Sequence, residues 1–221
     1  MWIELFGHTT YILLAVSYLV RDIVWLRRIA IPASICSIIF NYFAPAEPLW
    51  LIINWNVFFL VINISQLLLI HWNDRVVRLN PELSELAEFL SPPLSATDVL
   101  RMEEWGDRIT CESGTELCVV GNRPESLYLL LDGTVAVYRA GERLGECSRG
   151  TLLGEISFLT GKPCSATVII EEGSATLYRW NQKALKKRIS NYPALKSSIQ
   201  QCLATHLSKQ FTSRELEHIG A

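Results

Sequence analysis

The sequence predicts an α+β membrane protein in which three transmembrane helices are followed by a cytoplasmic antiparallel β jelly roll with flanking helices. Three observations carry this reading. Long apolar runs crowd between Leu5 and Ile70, short apolar runs separated by recurring glycines follow from Asp107, and helical periodicity returns after Pro193. Hydrophobic residues make up 50% of the 221, but the excess lies in the first third, and from Asn73 onward charge and turn residues are those of an ordinary globular domain.

A hydrocarbon core about 30 Å thick takes roughly 20 apolar residues as helix. Leu5 to Val20, with Ile23 to Leu26 as a possible extension, forms the first expected span; Ile29 to Ala46 and Pro48 to Ile70 form the second and third. Arg21, Arg27 and Arg28 fall between the first two spans, and Arg75 and Arg78 follow the third, whereas Pro45 to Pro48 carries no basic residue. The positive-inside rule then puts the amino terminus outside and everything after His71 in the cytoplasm of a multi-pass cell-membrane protein. Six cysteines in such a chain read as reduced, mostly buried thiols, since no pair has metal-type spacing. Asn56, Asn63 and Gln66 share one face of the third span, and carboxamides in lipid need partners, either within the same bundle or across a homodimer.

Residues 1–72 therefore read as a three-helix transmembrane domain and residues 73–106 as a helical connector. In the connector Leu83, Leu86, Ala87 and Leu90 keep helical spacing, Pro92-Pro93 breaks it, and Ser95 to Asp98 offers caps for a second helix from Val99 to Trp105. Residues 107–221 read as the β domain with its closing helix. Leu127 to Leu131, Val135 to Tyr138 and Ala166 to Ile170 are strand-like, and Asp132-Gly133 between two of them predicts a tight hairpin. Leu195, Ile199, Leu203, Leu207 and Phe211 lie on one face of the last helix, a second surface for homodimer contact. Lys183, Lys186, Lys187 and Arg188 read as a solvated helix face rather than a nucleic-acid contact.

Chemistry concentrates in the stretch from Leu152 to Val168, where Gly154-Glu-Ile-Ser-Phe-Leu159 and Pro163-Cys-Ser-Ala-Thr-Val168 surround Gly161 and Lys162. With the preceding helix pair, Leu131-Asp-Gly133 and the terminal helix, this order resembles a cyclic nucleotide-binding domain from about Leu83 to Phe211. Three spans, Trp55-Asn-Val-Phe58, Val61-x-Asn63 and a strand ending Tyr178-Arg-Trp180 make nearly the whole chain similar to the Popeye domain proteins. That resemblance implies a membrane-anchored, non-catalytic protein that binds a cyclic nucleotide, cyclic AMP first among them, and modulates a membrane protein partner. No Ser/His/Asp set accompanies it, and the four histidines are scattered, which argues against an enzyme.

The resemblance also assigns residues. Gly154, Glu155, Ile156, Ser157, Cys164, Ser165 and Thr167 fall on its ligand-binding positions. Glu155 stands where the family bonds the ribose 2′-hydroxyl; its other reading is an acidic residue favoured in a first helical turn. Gly154 allows close backbone approach, Ile156 and Ser157 open the short helix, Ser165 offers a hydroxyl, and Thr167 faces the base if alternate strand residues point inward. Cys164 stands where the ordinary family carries the arginine that pairs with the cyclic phosphate, and the Popeye patterns Asp-Ser-Pro-Glu and Phe-Gln-Val-Thr are replaced here except for the Thr. Lys162 is the nearest candidate cation, the alternative being a solvated turn lysine. The competing function is a membrane scaffold or dimerisation protein whose nucleotide pocket has degenerated.

Overall fold

The computed structural model describes residues 2–219 apart from Ser91, without the side chains of residues 209–219. Phe211 of the expected apolar stripe thus lies outside the described side chains. The chain divides into two compact units, Met1–Arg75 and Val76–Ala221.

The first unit is built from α1 (Trp2–Leu19), α2 (Ile23–Phe43) and most of α3 (Trp50–Leu79). Asp22 starts α2, its carboxylate accepting from the backbone N–H of Val24 at 2.7 Å and of Trp25 at 3.0 Å. Ile23 to Leu26 therefore belongs to the second helix and does not extend the first, and Arg27 and Arg28 lie in its first two turns rather than in a loop. α2 and α3 are long and apolar enough to cross a membrane; α1 is not, correcting the expectation of three such spans to two. Its 18 residues include Glu4, His8, Thr9 and Thr10 in the first half, which dilute its apolarity. Gly7 near the start of α1 lies against Phe40 near the end of α2, where an added Cβ would come within 2.9 Å of the ring. The two helices thus run antiparallel along nearly their whole length.

Two of the carboxamides of α3, Asn56 and Asn63, find partners inside the unit. Asn56 donates to Ile52 O and Asn63 to Phe59 O, each at 2.9 Å and one turn back, and Asn63 Oδ1 also accepts from Arg27 Nη1 at 3.4 Å. A long cationic side chain so placed finds a polar acceptor on the neighbouring helix instead of lipid.

In the second unit, α4 (Pro81–Leu90) and α5 (Ala96–Glu104) lead into β1 (Asp107–Glu112). Leu83, Leu86 and Leu90 are the buried face of α4, and Ser95 caps α5, which starts at Ala96, three residues earlier than the spacing predicts. Seven more strands follow: β2 (Glu116–Cys118), β3 (Ser126–Asp132), β4 (Val135–Arg139), β5 (Glu142–Cys147), β6 (Leu152–Leu153), β7 (Thr167–Ile169) and β8 (Ser174–Asn181). They form two four-stranded antiparallel sheets, ordered β1-β8-β3-β6 and β2-β7-β4-β5. α6 (Glu155–Thr160) lies between β6 and β7, and α7 (Gln182–Ile189) and α8 (Pro193–Ile219) close the chain.

Side-chain alternation along β3 explains its unbroken apolar run. Leu127, Leu129 and Leu131 join a core with Trp180, Leu86, Met102, Leu195, Ile199 and Leu203, whereas Leu130 points the other way, into a core with Val135, Val137, Val168 and Leu177. A strand buried on both faces shows no period of two in its hydrophobicity.

The hairpin expected at Asp132-Gly133 is absent. β3 pairs with β6 and β8 while β4 pairs with β5 and β7, so this dipeptide turns the chain from one sheet to the other. A register shift between Leu130 and Asp132 bends β3 there, and Gly133, at φ +88°, passes so close to the Ser174 carbonyl that a Cβ would be 2.7 Å away. The tight hairpin is instead Ala140-Gly141 between paired Arg139 and Glu142, both loop residues having positive φ, as a type I′ turn requires.

Candidate functional site

Two left-handed glycines frame α6. Gly154 at φ +83° precedes its first residue, and Gly161 at φ +71° ends it with its N–H donated to Ser157 O at 2.8 Å. Gly154 is held from behind by Gln182, whose Nε2 donates to Gly154 O at 3.3 Å and to Ser126 O at 3.2 Å. Gln182 is a buried polar residue at the start of α7, and it fixes the turn to β3. Nothing in its sequence neighbourhood marks it for that task.

The segment from Cys164 to Thr167 is fastened to the loop that follows β2, residues 120–122. Cys164 N donates to Asn122 O at 2.8 Å, Gly121 N donates to Cys164 O at 3.0 Å, and Val120 N donates to Thr167 Oγ1 at 3.0 Å. Between this segment and α6 is a cavity of about 120 Å³. Gly154, Glu155, Ile156, Ser157, Cys164 and Ser165 all line it. Six of the seven residues picked from the sequence are thus brought together. Thr167 does not line it, because its hydroxyl is engaged by Val120 on the β2 side.

Glu155 is 6% exposed and faces this cavity from the first turn of α6. Ser157 is equally buried, but its hydroxyl donates to Lys162 O at 2.5 Å and so closes the loop after α6. Lys162 is exposed and outside the lining, in keeping with a solvated turn lysine. The cation that does line the cavity is Arg139, at the end of β4, with Nε donating to Ser165 O at 3.0 Å. Sequence reasoning missed it because β4 comes 26 residues before Ser165, and only the pairing of β4 with β7 brings them together.

Apolar walls come from Val137, Leu144, Leu153, Val168 and, from α8, Leu207. Cys118 and Cys164 complete the floor. Burial, then the neighbouring Cys164 thiol and the Glu155 carboxylate, push the Cys118 thiol far above the ordinary thiol range. Burial chiefly raises Cys164 as well, against a hydrogen bond from Cys118 that lowers it. Both thiols are therefore protonated at neutral pH and add no negative charge to the cavity. Among the described residues, no grouping of three or more His, Cys, Asp and Glu could hold a metal ion.

The site thus offers one buried carboxylate, one guanidinium, a serine hydroxyl and an apolar wall: acceptors for sugar hydroxyls, donors for an anion, and a surface for a flat ring.

Residues 108–192 match the family model described as cyclic nucleotide-binding domain, and residues 3–100 match that described as POPDC1-3. Among solved structures, the chain is similar to a cyclic nucleotide-binding domain from Methylobacillus flagellatus, with a TM-score of 0.55 and 19% identity over 62% of this chain and 82% of that one. It is also similar to a putative cyclic nucleotide-binding protein from Geobacter metallireducens, with a TM-score of 0.50 and 14% identity over 55% of this chain and 91% of that one. At such identities these likenesses establish the fold of the second unit. No curated protein matched the chain. Both matched families are families of binding domains, not of catalytic ones. The chain thus joins a segment similar to POPDC1-3, residues 3–100, to a segment similar to the cyclic nucleotide-binding domain, residues 108–192.

Proposed function

We propose that this protein is a membrane-anchored, non-catalytic sensor that binds a cyclic nucleotide, with cyclic AMP the first ligand to test, between α6 and the segment preceding β7. The observation that carries the reading is the cavity itself, in which Glu155 is buried yet faces open volume beside Ser165 and Arg139. A degenerate pocket would be filled by its own side chains, whereas about 120 Å³ stays open here. That volume suits a ribose ring with its cyclic phosphate, and the base then lies toward Leu144 and Leu207 at the mouth. Because Leu207 comes from α8, ligand contact would bias how that helix packs, and a binding event gains a mechanical output through the differential affinity of two packings.

Anchoring rests on α2 and α3, and the antiparallel packing of α1 along α2 carries α1 to the same depth. Arg21, Arg27 and Arg28 at one end of α2, with Arg75 and Arg78 at the corresponding end of α3, favour a cytoplasmic side for the second unit.

The test is calorimetric titration of cyclic AMP and cyclic GMP into the full chain in lipid nanodiscs, with Glu155→Ala alongside. Glu155→Ala removes a charged acceptor of a ribose hydroxyl, so affinity should fall by about tenfold or more. Saturable binding in the unaltered chain and its loss in Glu155→Ala support the reading; no saturable heat with either nucleotide refutes it.

A further inference from the structure

Resting on the cyclic nucleotide reading, we infer that Arg139 is the residue that takes the ligand's phosphate, so that the anion is held from the end of β4 rather than from the start of β7. Arg139 is the single cation among the described residues lining the cavity. Its Nε is fixed on the Ser165 carbonyl at 3.0 Å, which orients the planar guanidinium beside Ser165. The Nη1 and Nη2 groups make no ion pair among the described residues.

That condition separates it from other arginines of the same unit. Arg108 reaches Glu82 and Glu85, Arg143 reaches Glu146 and Glu171, Arg149 reaches Glu85 and Glu88, and Arg179 reaches Asp107, all within 3.0 to 3.6 Å. Those charges are spent on the protein's own carboxylates. Arg139 instead presents a two-pronged donor set next to a cavity, which is the geometry that a cyclic phosphate with two exocyclic oxygens accepts in bidentate fashion.

Cys164 fits the same scheme. Its short, protonated side chain leaves the floor beside Ser165 open and uncharged, so among the described residues the charges lining the cavity are the Glu155 carboxylate and the Arg139 guanidinium. These two match the hydroxyl and phosphate sides of a cyclic ribose phosphate. The anion then bridges Arg139 and the Ser165 hydroxyl.

Three substitutions at Arg139 test this in the full chain, with cyclic AMP as the titrant and the unfolding midpoint as the check on folding. Arg139→Ala removes charge and Ser165 bond together, Arg139→Gln retains an amide donor for the Ser165 carbonyl without charge, and Arg139→Lys retains charge. Loss of a charge-assisted pair predicts about tenfold to a hundredfold weaker binding for both Ala and Gln, with Lys recovering part of it. If Gln binds within about twofold of the unaltered protein, Arg139 only buttresses the loop and the assignment fails. An equal loss in all three variants also overturns it. Absence of binding by the unaltered chain would overturn the cyclic nucleotide reading itself, and this assignment with it.

Discussion

Replacing Trp180 by alanine should destabilise the second unit by about 3 to 5 kcal/mol, the range for removing a large aromatic side chain from a core. Trp180 is fully buried and is the largest side chain in the core between the first sheet and the helices. Its indole N–H donates to Met102 O at 2.7 Å, and its ring lies 4.9 Å from that of Tyr178, whose hydroxyl donates to Glu103 O at 2.7 Å. Together the two rings tie β8 to the end of α5. They also require Gly106, where an added Cβ would be 2.5 Å from Tyr178 and 2.6 Å from Trp180. Alanine at 180 would therefore leave a cavity and strip the Met102 carbonyl of its donor. Urea denaturation followed by circular dichroism gives the number; a loss under about 1 kcal/mol would contradict this packing.

The second large effect is expected for Gly154→Val. A β-branched residue at φ +83° is a backbone outlier, and its Cβ would lie 3.0 Å from the Ser126 carbonyl, a backbone atom of a central strand that has little room to yield. Strain and overlap together should cost about 2 to 5 kcal/mol. The lesion should also abolish cyclic nucleotide binding, because Glu155 follows directly and its position depends on the turn. Gly161→Ala is the internal comparison. Its φ is also left-handed, but its Cβ would meet nothing within 4 Å, so only the conformational cost of about 1 to 2 kcal/mol applies. Equal effects of the two substitutions would show that the close approach at Ser126 is unimportant.

What could be read from the sequence is what depends on near neighbours along the chain. The α4 leucines, the stripe of α8 through Leu203 and the glycine-framed cassette all have local periodicity or turn chemistry behind them. Asp132-Gly133 misled because its composition suits a tight turn whichever strands flank it, and strand pairing is a long-range property. The helix start at Asp22 was obscured by the apolar run from Ile23 to Leu26, which suits either helix, although a carboxylate bonding two N–H groups is a sufficient helix start. The first expected span was overcounted because counting charged residues alone ignores the threonines and the histidine of α1. Arg139 and Gln182 could not be found locally, since each acts on a partner at least 26 residues away. Thr167 fell on a pocket position by resemblance, but the bond to Val120 directs its hydroxyl elsewhere.

The volume between α6 and the segment before β7 is proposed above as a cyclic nucleotide site. Its most direct test is an experimental structure of the full chain saturated with cyclic AMP. The cyclic phosphate should lie between the Arg139 guanidinium and Ser165, with the ribose 2′-hydroxyl on the Glu155 carboxylate and the base toward Leu144 and Leu207. Nucleotide bound elsewhere, or a cavity closed by Leu144 and Leu207 with no ligand inside, would contradict it.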